Sequence, residues 1–208
     1  MRKLVPVITL ACSSVLASGF ASAETVSQNF EQSSMYVQGS GYYYSDQEDN
    51  KSVYMDISPR VGYYVSDGLS VSLGATIYSR TDYIVDTKDF RYAYQEIDFG
   101  VTKWFGHEGL TDSGLVYKAG IYGSLGSWKT KDLVSNTELG SDSYLSVTPY
   151  AGVNYFMTPR ASFYANIELG TFDLLADVDK FDSYYDVTVG VSYYISNRDK
   201  IAVSSLTK

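Results

Sequence analysis

From Ser52 to Val65, residues Val53, Met55, Ile57, Pro59, Val61, Tyr63 and Val65 share one parity, and Tyr54, Asp56, Ser58, Arg60, Gly62 and Tyr64 share the other. A period of two scatters apolar residues around a helix but gathers them on one face of a strand. The segment therefore reads as a β-strand with one apolar and one polar face. The pattern recurs in seven further segments: Met35–Ser45, Leu69–Ser79, Tyr92–Phe105, Gly114–Gly126, Tyr144–Met157, Ala161–Phe172 and Tyr184–Ile195.

An even number of strands, each close to the ~9–11 residues that cross a bilayer at a tilt, satisfies every backbone group by closing on itself. The sequence thus predicts an all-β protein, an eight-stranded antiparallel up-and-down transmembrane barrel spanning residues 35–195. Short links at Ser66–Gly68, Gly106–Ser113 and Thr158–Arg160 alternate with longer polar ones at Asp46–Lys51, Arg80–Arg91, Ser127–Ser143 and Asp173–Ser183. In outer-membrane barrels such alternation separates periplasmic turns from extracellular loops, and both termini then face the periplasm.

A secreted soluble barrel or sandwich would bury the apolar parity and show water a surface rich in Lys and Glu. Here the polar parity is mostly Gly, Ser, Thr, Asn and Tyr with isolated charges, which suits the packed interior of a narrow barrel. The chain holds 21 tyrosines. Outward-facing Tyr63, Phe105, Tyr117, Tyr155 and Tyr193 fall near one set of strand ends, and Tyr43 and Tyr185 near the other. The expectation is a pair of aromatic girdles at the membrane interfaces.

Met1–Ala23 reads as a signal peptide, with Arg2 and Lys3 before an apolar run and Ala21-Ser22-Ala23 at the cleavage site. The alternative is a lipoprotein signal acylated at Cys12, whose preceding Thr9-Leu10-Ala11 fits a lipobox poorly. Cleavage after Ala23 leaves residues 24–34 as a periplasmic lead-in and 196–208 as a periplasmic tail. It removes the sole cysteine, and with it any disulfide or thiolate site. Losing Arg2 and Lys3 takes the formal charge from −8 to −10, which argues against nucleic acid as a partner.

Two hairpins echo each other. Ser58-Pro59-Arg60-Val61-Gly62-Tyr63-Tyr64-Val65-Ser66-Asp67 and Thr148-Pro149-Tyr150-Ala151-Gly152-Val153-Asn154-Tyr155-Phe156-Met157-Thr158-Pro159 share Ser/Thr-Pro-x-x-Gly, an aromatic strand end and a polar turn. This resembles the recurring hairpin of the small outer-membrane β-barrels, the OmpA- and OmpX-type eight-stranded domains. Thr188-Val189-Gly190-Val191-Ser192-Tyr193-Tyr194-Ile195 is similar to the C-terminal assembly signal of such barrels, with Gly190, Tyr193 and Ile195 at its key positions. Relatives usually end that signal with phenylalanine, where this chain has Ile195 and continues. The resemblance implies insertion by the barrel-assembly machinery and an outer membrane of lipid and lipopolysaccharide as surroundings.

Parity sends Asp56, Arg60, Glu96, Asp98, Lys118, Glu168 and Asp186 into the lumen. Buried charges must pair or be hydrogen-bonded, so the set predicts a salt-bridged polar plug. The alternative is a gate to a narrow cation-preferring channel, given five carboxylates against two cations. The only histidine, His107, sits in the turn Gly106-His107-Glu108-Gly109 and is expected to be solvated. General-base chemistry near neutral pH favours histidine, and no strand-borne serine is placed near this one. No catalytic residue, metal site or cofactor is therefore expected. Asp173, Asp177, Asp179 and Asp182 make the last loop acidic, with a spacing that fits no calcium motif. The function expected is a non-enzymatic outer-membrane barrel with a structural or surface-interaction role, its loops free to meet an extracellular ligand.

Overall fold

A computed structural model describes residues 25–45, 50–84, 88–174, 181–182 and 185–196. The alternating segments become β1 (Met35–Ser45), β2 (Asn50–Ser66), β3 (Leu69–Ile84), β4 (Lys88–Phe105), β5 (Gly114–Asp132), β6 (Thr137–Thr158), β7 (Ala161–Glu168) and β10 (Asp186–Ile195). Each pairs antiparallel with its neighbour, and β1 pairs with both β2 and β10, so the eight staves close into a barrel. Two short strands, β8 (Thr171–Asp173) and β9 (Phe181–Asp182), extend the β6 side. The segment read as a signal peptide, the tail beyond Ser196 and most of the acidic loop lie outside the described residues.

The wall is inside-out by the standard of a soluble protein. Val61, Leu73, Phe99, Ile121, Leu125 and Val189 face outward and exposed, while Ser70, Ser72, Thr102, Ser124, Thr148 and Asn154 are buried inward. An apolar belt on this scale is what hydrocarbon solvates.

Strand ends depart from the sequence pattern in one direction at the long-hairpin end. Much of Arg80–Arg91 and Ser127–Ser143, expected as loops, continues as paired strand, leaving residues 133–136 as the turn between β5 and β6. Hydrophobic alternation records only where one face meets an apolar medium, whereas the ladder needs only backbone partners. β7 instead stops at Glu168, short of the expected Phe172. From Tyr150–Glu168 to Val147–Phe172, β6 advances three residues and its partner four, so one extra residue bulges out near Gly170, at φ +103°.

At the opposite, short-turn end, Asp67-Gly68 joins β2 to β3 with Gly68 at φ +64°. Here residues 25–34 do more than lead into β1. A 3-10 turn, Val26–Phe30, buries Val26, Asn29 and Phe30. Its backbone is pinned across the barrel mouth: Val26 N–H donates to the Thr111 carbonyl (2.8 Å), Ser27 N–H to Leu110 (3.1 Å), Gly68 N–H to Phe30 (2.9 Å) and Ser33 N–H to Tyr64 (2.8 Å). The Asn29 amide also donates to the Pro159 carbonyl. The hydrophobic core of this protein is the cluster beneath it: Val26, Phe30, Tyr36, Tyr64, Trp104, Val116, Phe156 and Tyr194.

Candidate functional site

The lumen is built in tiers. At the short-turn end the last inward positions of five staves are aromatic (Tyr36, Tyr64, Trp104, Phe156 and Tyr194), and Phe30 plugs their centre. Its ring lies 5.4 Å from Trp104, 5.5 Å from Tyr64, 5.8 Å from Phe156 and 5.9 Å from Tyr194. Edge-to-face and tilted geometries of this kind add to the burial of apolar area. Ser70 accepts from Trp104 Nε1 (2.9 Å), and the Asn154 amide donates to Ser162 (2.9 Å) and to the Tyr194 hydroxyl (2.8 Å). Composition of the polar parity concealed this floor, because Trp104, Phe156 and Tyr194 are its final members on their strands.

The two cations come next, and they are held differently. Arg60 and Asp98 form an ion pair. They stand on β2 and β4, with Gly74 of β3 between them in register with both. A Cβ at Gly74 would lie 2.6 Å from Asp98 Oδ2, so glycine is what lets the pair reach across the intervening stave. Arg60 also lies 5.0 Å over the Tyr122 ring. Lys118, nearly completely buried, has no ion-pair partner among the described residues. Its Nζ instead sits 4.6 Å from the Tyr164 ring centre and 5.1 Å from that of Trp104. Among the described residues, the salt-bridged network expected of the seven charges is thus one pair. Lys118 emerges level with Trp104 and Gly152, among rings and below the carboxylates.

Above Arg60 the lumen opens into a cavity of about 250 Å3. Asp56, Glu96, Glu168 and Asp186 line it together with Tyr42, Tyr94, Tyr122 and Tyr164. Asp56 accepts from Ser58 (2.9 Å), which accepts from Thr76 (3.1 Å), and Glu96 accepts from the Tyr144 hydroxyl (2.6 Å). Among the described residues no three His, Cys, Asp or Glu side chains converge as a metal site. Toward the long-hairpin end, Tyr78 stacks on Tyr94 (5.0 Å) and Tyr92 on Trp128 (6.1 Å).

His107 corrects the sequence reading. It is buried, not solvated, with its ring 4.7 Å from that of Phe30. The N-terminal turn covers it, which no local pattern around Gly106-His107-Glu108-Gly109 announces. Nδ1 has no hydrogen-bond partner among the described residues, and Nε2 faces Glu108 Oε1 at 3.9 Å. Burial pushes the imidazole pKa below its ordinary value.

Tyr63, Phe105, Tyr117 and Tyr155 are exposed on the outer wall near the short-turn end, and Tyr193 lies there half-buried, opposite Val37 and Ala161. Tyr43 and Tyr185 are exposed toward the other end. Gly190 faces the Tyr164 ring, and Ile195 pairs with Met35 where the barrel closes.

Among solved structures, the N-terminal β-barrel domain of Pseudomonas aeruginosa OprF matches 79% of this chain and 98% of its own length at 14% identity, with a TM-score of 0.50. The chain folds as a small outer-membrane-type β-barrel. Ail, the attachment invasion locus protein of Yersinia pestis, matches 79% of this chain and 99% of its own at 14% identity and a TM-score of 0.45. Its structure in a phospholipid bilayer nanodisc matches 79% and 100% at 17% identity and a TM-score of 0.41. No protein-family model and no curated protein matches the chain.

Proposed function

We propose that this protein is a non-enzymatic integral outer-membrane protein whose barrel anchors it and whose long hairpins form its working surface. The observation that carries this reading is the pairing of a continuous outward apolar belt with a lumen closed at its short-turn end by Phe30 and its aromatic ring of neighbours. In this reading the short turns and both termini face the periplasm, and the long hairpins face outward. Girdles of Tyr63, Phe105, Tyr117, Tyr155 and Tyr193 on one side and Tyr43 and Tyr185 on the other sit at the interfaces. Gly190, Tyr193 and Ile195 present the strand recognised by the barrel-assembly machinery. Lipid and lipopolysaccharide surround the barrel, and an extracellular ligand would meet the hairpins. The sole histidine supports the non-enzymatic reading, since it is packed on Phe30 and not on a hydroxyl nucleophile.

The acidic cavity favours a second reading, a small cation-preferring channel. Single-channel recording on refolded residues 24–208 in a planar bilayer decides between them. A heat-modifiable, inserted and silent protein supports the anchor. Reproducible conductance steps that change on replacing Arg60 or Lys118 support the channel.

A further inference from the structure

We propose that the N-terminal segment, residues 25–34, is an acid-releasable clasp on the short-turn end of the barrel, with His107 as its sensor. The segment is not a stave. It is held by a handful of backbone hydrogen bonds to the Asp67-Gly68 and Leu110-Thr111 turns and to Tyr64, by the Asn29 amide on the Pro159 carbonyl, and by the buried side chains of Val26 and Phe30. His107 forms one wall of the Phe30 socket. Its ring packs on Phe30 and on Gly68, where an added Cβ would meet His107 Cε1 at 2.7 Å. Gly68 N–H in turn donates to the Phe30 carbonyl, so the imidazole packs on both residues joined by a bond that fastens the segment.

The neighbours of His107 give the sign. The Val26–Phe30 turn brings no charged side chain. The β2–β3 turn brings Asp67, β4 brings Lys103, and the β4–β5 turn brings Glu108. Glu108 and Asp67 favour a protonated imidazole, while Lys103 and, above all, burial disfavour it. Glu108 is itself exposed, so water screens its help. With the segment docked the imidazole pKa is thus depressed, and undocking returns it toward ~6.5. Above that value both states are neutral and docking is at its strongest. As pH falls below it, the undocked state binds the proton first, and the undocked fraction rises by at most about tenfold per pH unit.

Trp104 lies 5.4 Å from Phe30 and nearly completely buried, so it reports docking. The only other tryptophan, Trp128, is removed in Trp128→Phe. Acrylamide quenching of Trp104 in that protein, folded in lipid vesicles, should be weak at pH 8 and increase several-fold by pH 5. His107→Phe added to it keeps a ring in the socket without a titrating group, and quenching should stay weak at pH 5. Phe30→Ala should give strong quenching at both pH values. Quenching that is flat with pH in Trp128→Phe, or that rises equally with His107→Phe, overturns the sensor. Weak quenching in Phe30→Ala overturns the clasp. Heat-modifiability on gels confirms that each variant is folded, independently of whether the barrel conducts.

Discussion

The Lys118 amine rests 4.6 Å from the centre of the Tyr164 ring, below described carboxylates that line the upper cavity or pair with Arg60. The interior of this protein is therefore two media stacked end to end, an aromatic floor below and a polar, acidic cavity above, with Lys118 at their boundary. A buried cation held by rings still bears most of its desolvation cost. Lys118→Met should leave the barrel as stable as before or more so, by ~1–4 kcal/mol. Urea unfolding in vesicles checks this, and a large loss of stability would mean a carboxylate does reach Lys118.

Arg60 and Asp98 behave in the opposite way. Removing one member strands the other charge across Gly74, so Asp98→Ala should cost about 3–5 kcal/mol. Arg60→Met in the same chain should recover most of that loss. A double-mutant cycle by urea titration gives the coupling, and simple additivity would show that the two do not act as a pair.

Tyr36 lies against the β2 backbone where Gly62 has no side chain, and a Cβ built there would lie 2.0 Å from Tyr36 Cζ. Gly62→Ala should displace Tyr36 from the floor at a cost of ~1–3 kcal/mol. With Tyr36→Ala already present, the same glycine change should cost little, as read from the two urea midpoints.

The upper part of β5 and β6 continues pairing beyond the apolar belt, from Trp128–Asp142 to Asp132–Thr137. Residues 134–139 at its tip are exposed, so the tip contributes little to barrel stability. Replacing residues 131–139 with Asn-Gly, which joins Thr130 to its partner Gly140 in a tight hairpin, should change stability by no more than ~0.5 kcal/mol. Refolding yield and heat-modifiability of the trimmed chain measure this. Loss of any surface binding with folding intact would place function on the hairpin.

Phe30 contributes to the barrel floor as any core aromatic does. Phe30→Ala should lower stability by ~3–5 kcal/mol if the socket stays rigid, and by less if Tyr64 and Trp104 relax into it. Comparison with deletion of residues 25–33 separates the ring from the backbone bonds it accompanies.

Where one face is apolar and outward and the other lines a packed interior, the period of two was legible residue by residue, as from Val53 to Val65 and from Leu69 to Ile77. The inward set Asp56, Arg60, Glu96, Asp98 and Lys118 followed from parity, and the Asp67-Gly68 turn from the short Ser66–Gly68 link between two alternating segments. Strand length beyond the belt was not legible, because Trp128 to Asp132 pair through backbone atoms that leave no mark on side-chain polarity. The bulge at Gly170 was hidden for a related reason: one extra residue changes the partner strand's register without changing the pattern of either strand.

The sequence by itself determined the barrel, because alternation repeated eight times fixes which side chains point in and which point out, and closure is how backbone groups are satisfied in lipid. Only the tertiary structure decided what those inward side chains meet. Arg60 finds Asp98 because a glycine stave lies between them, and Lys118 finds rings because it emerges one tier lower. Phe30 and His107, 77 positions apart by number (107 less 30), touch because a segment outside the strand pattern folds back into the mouth. Parity gives each residue a side of the wall, and the depth and company it keeps there are set by shear and packing among strands distant in sequence.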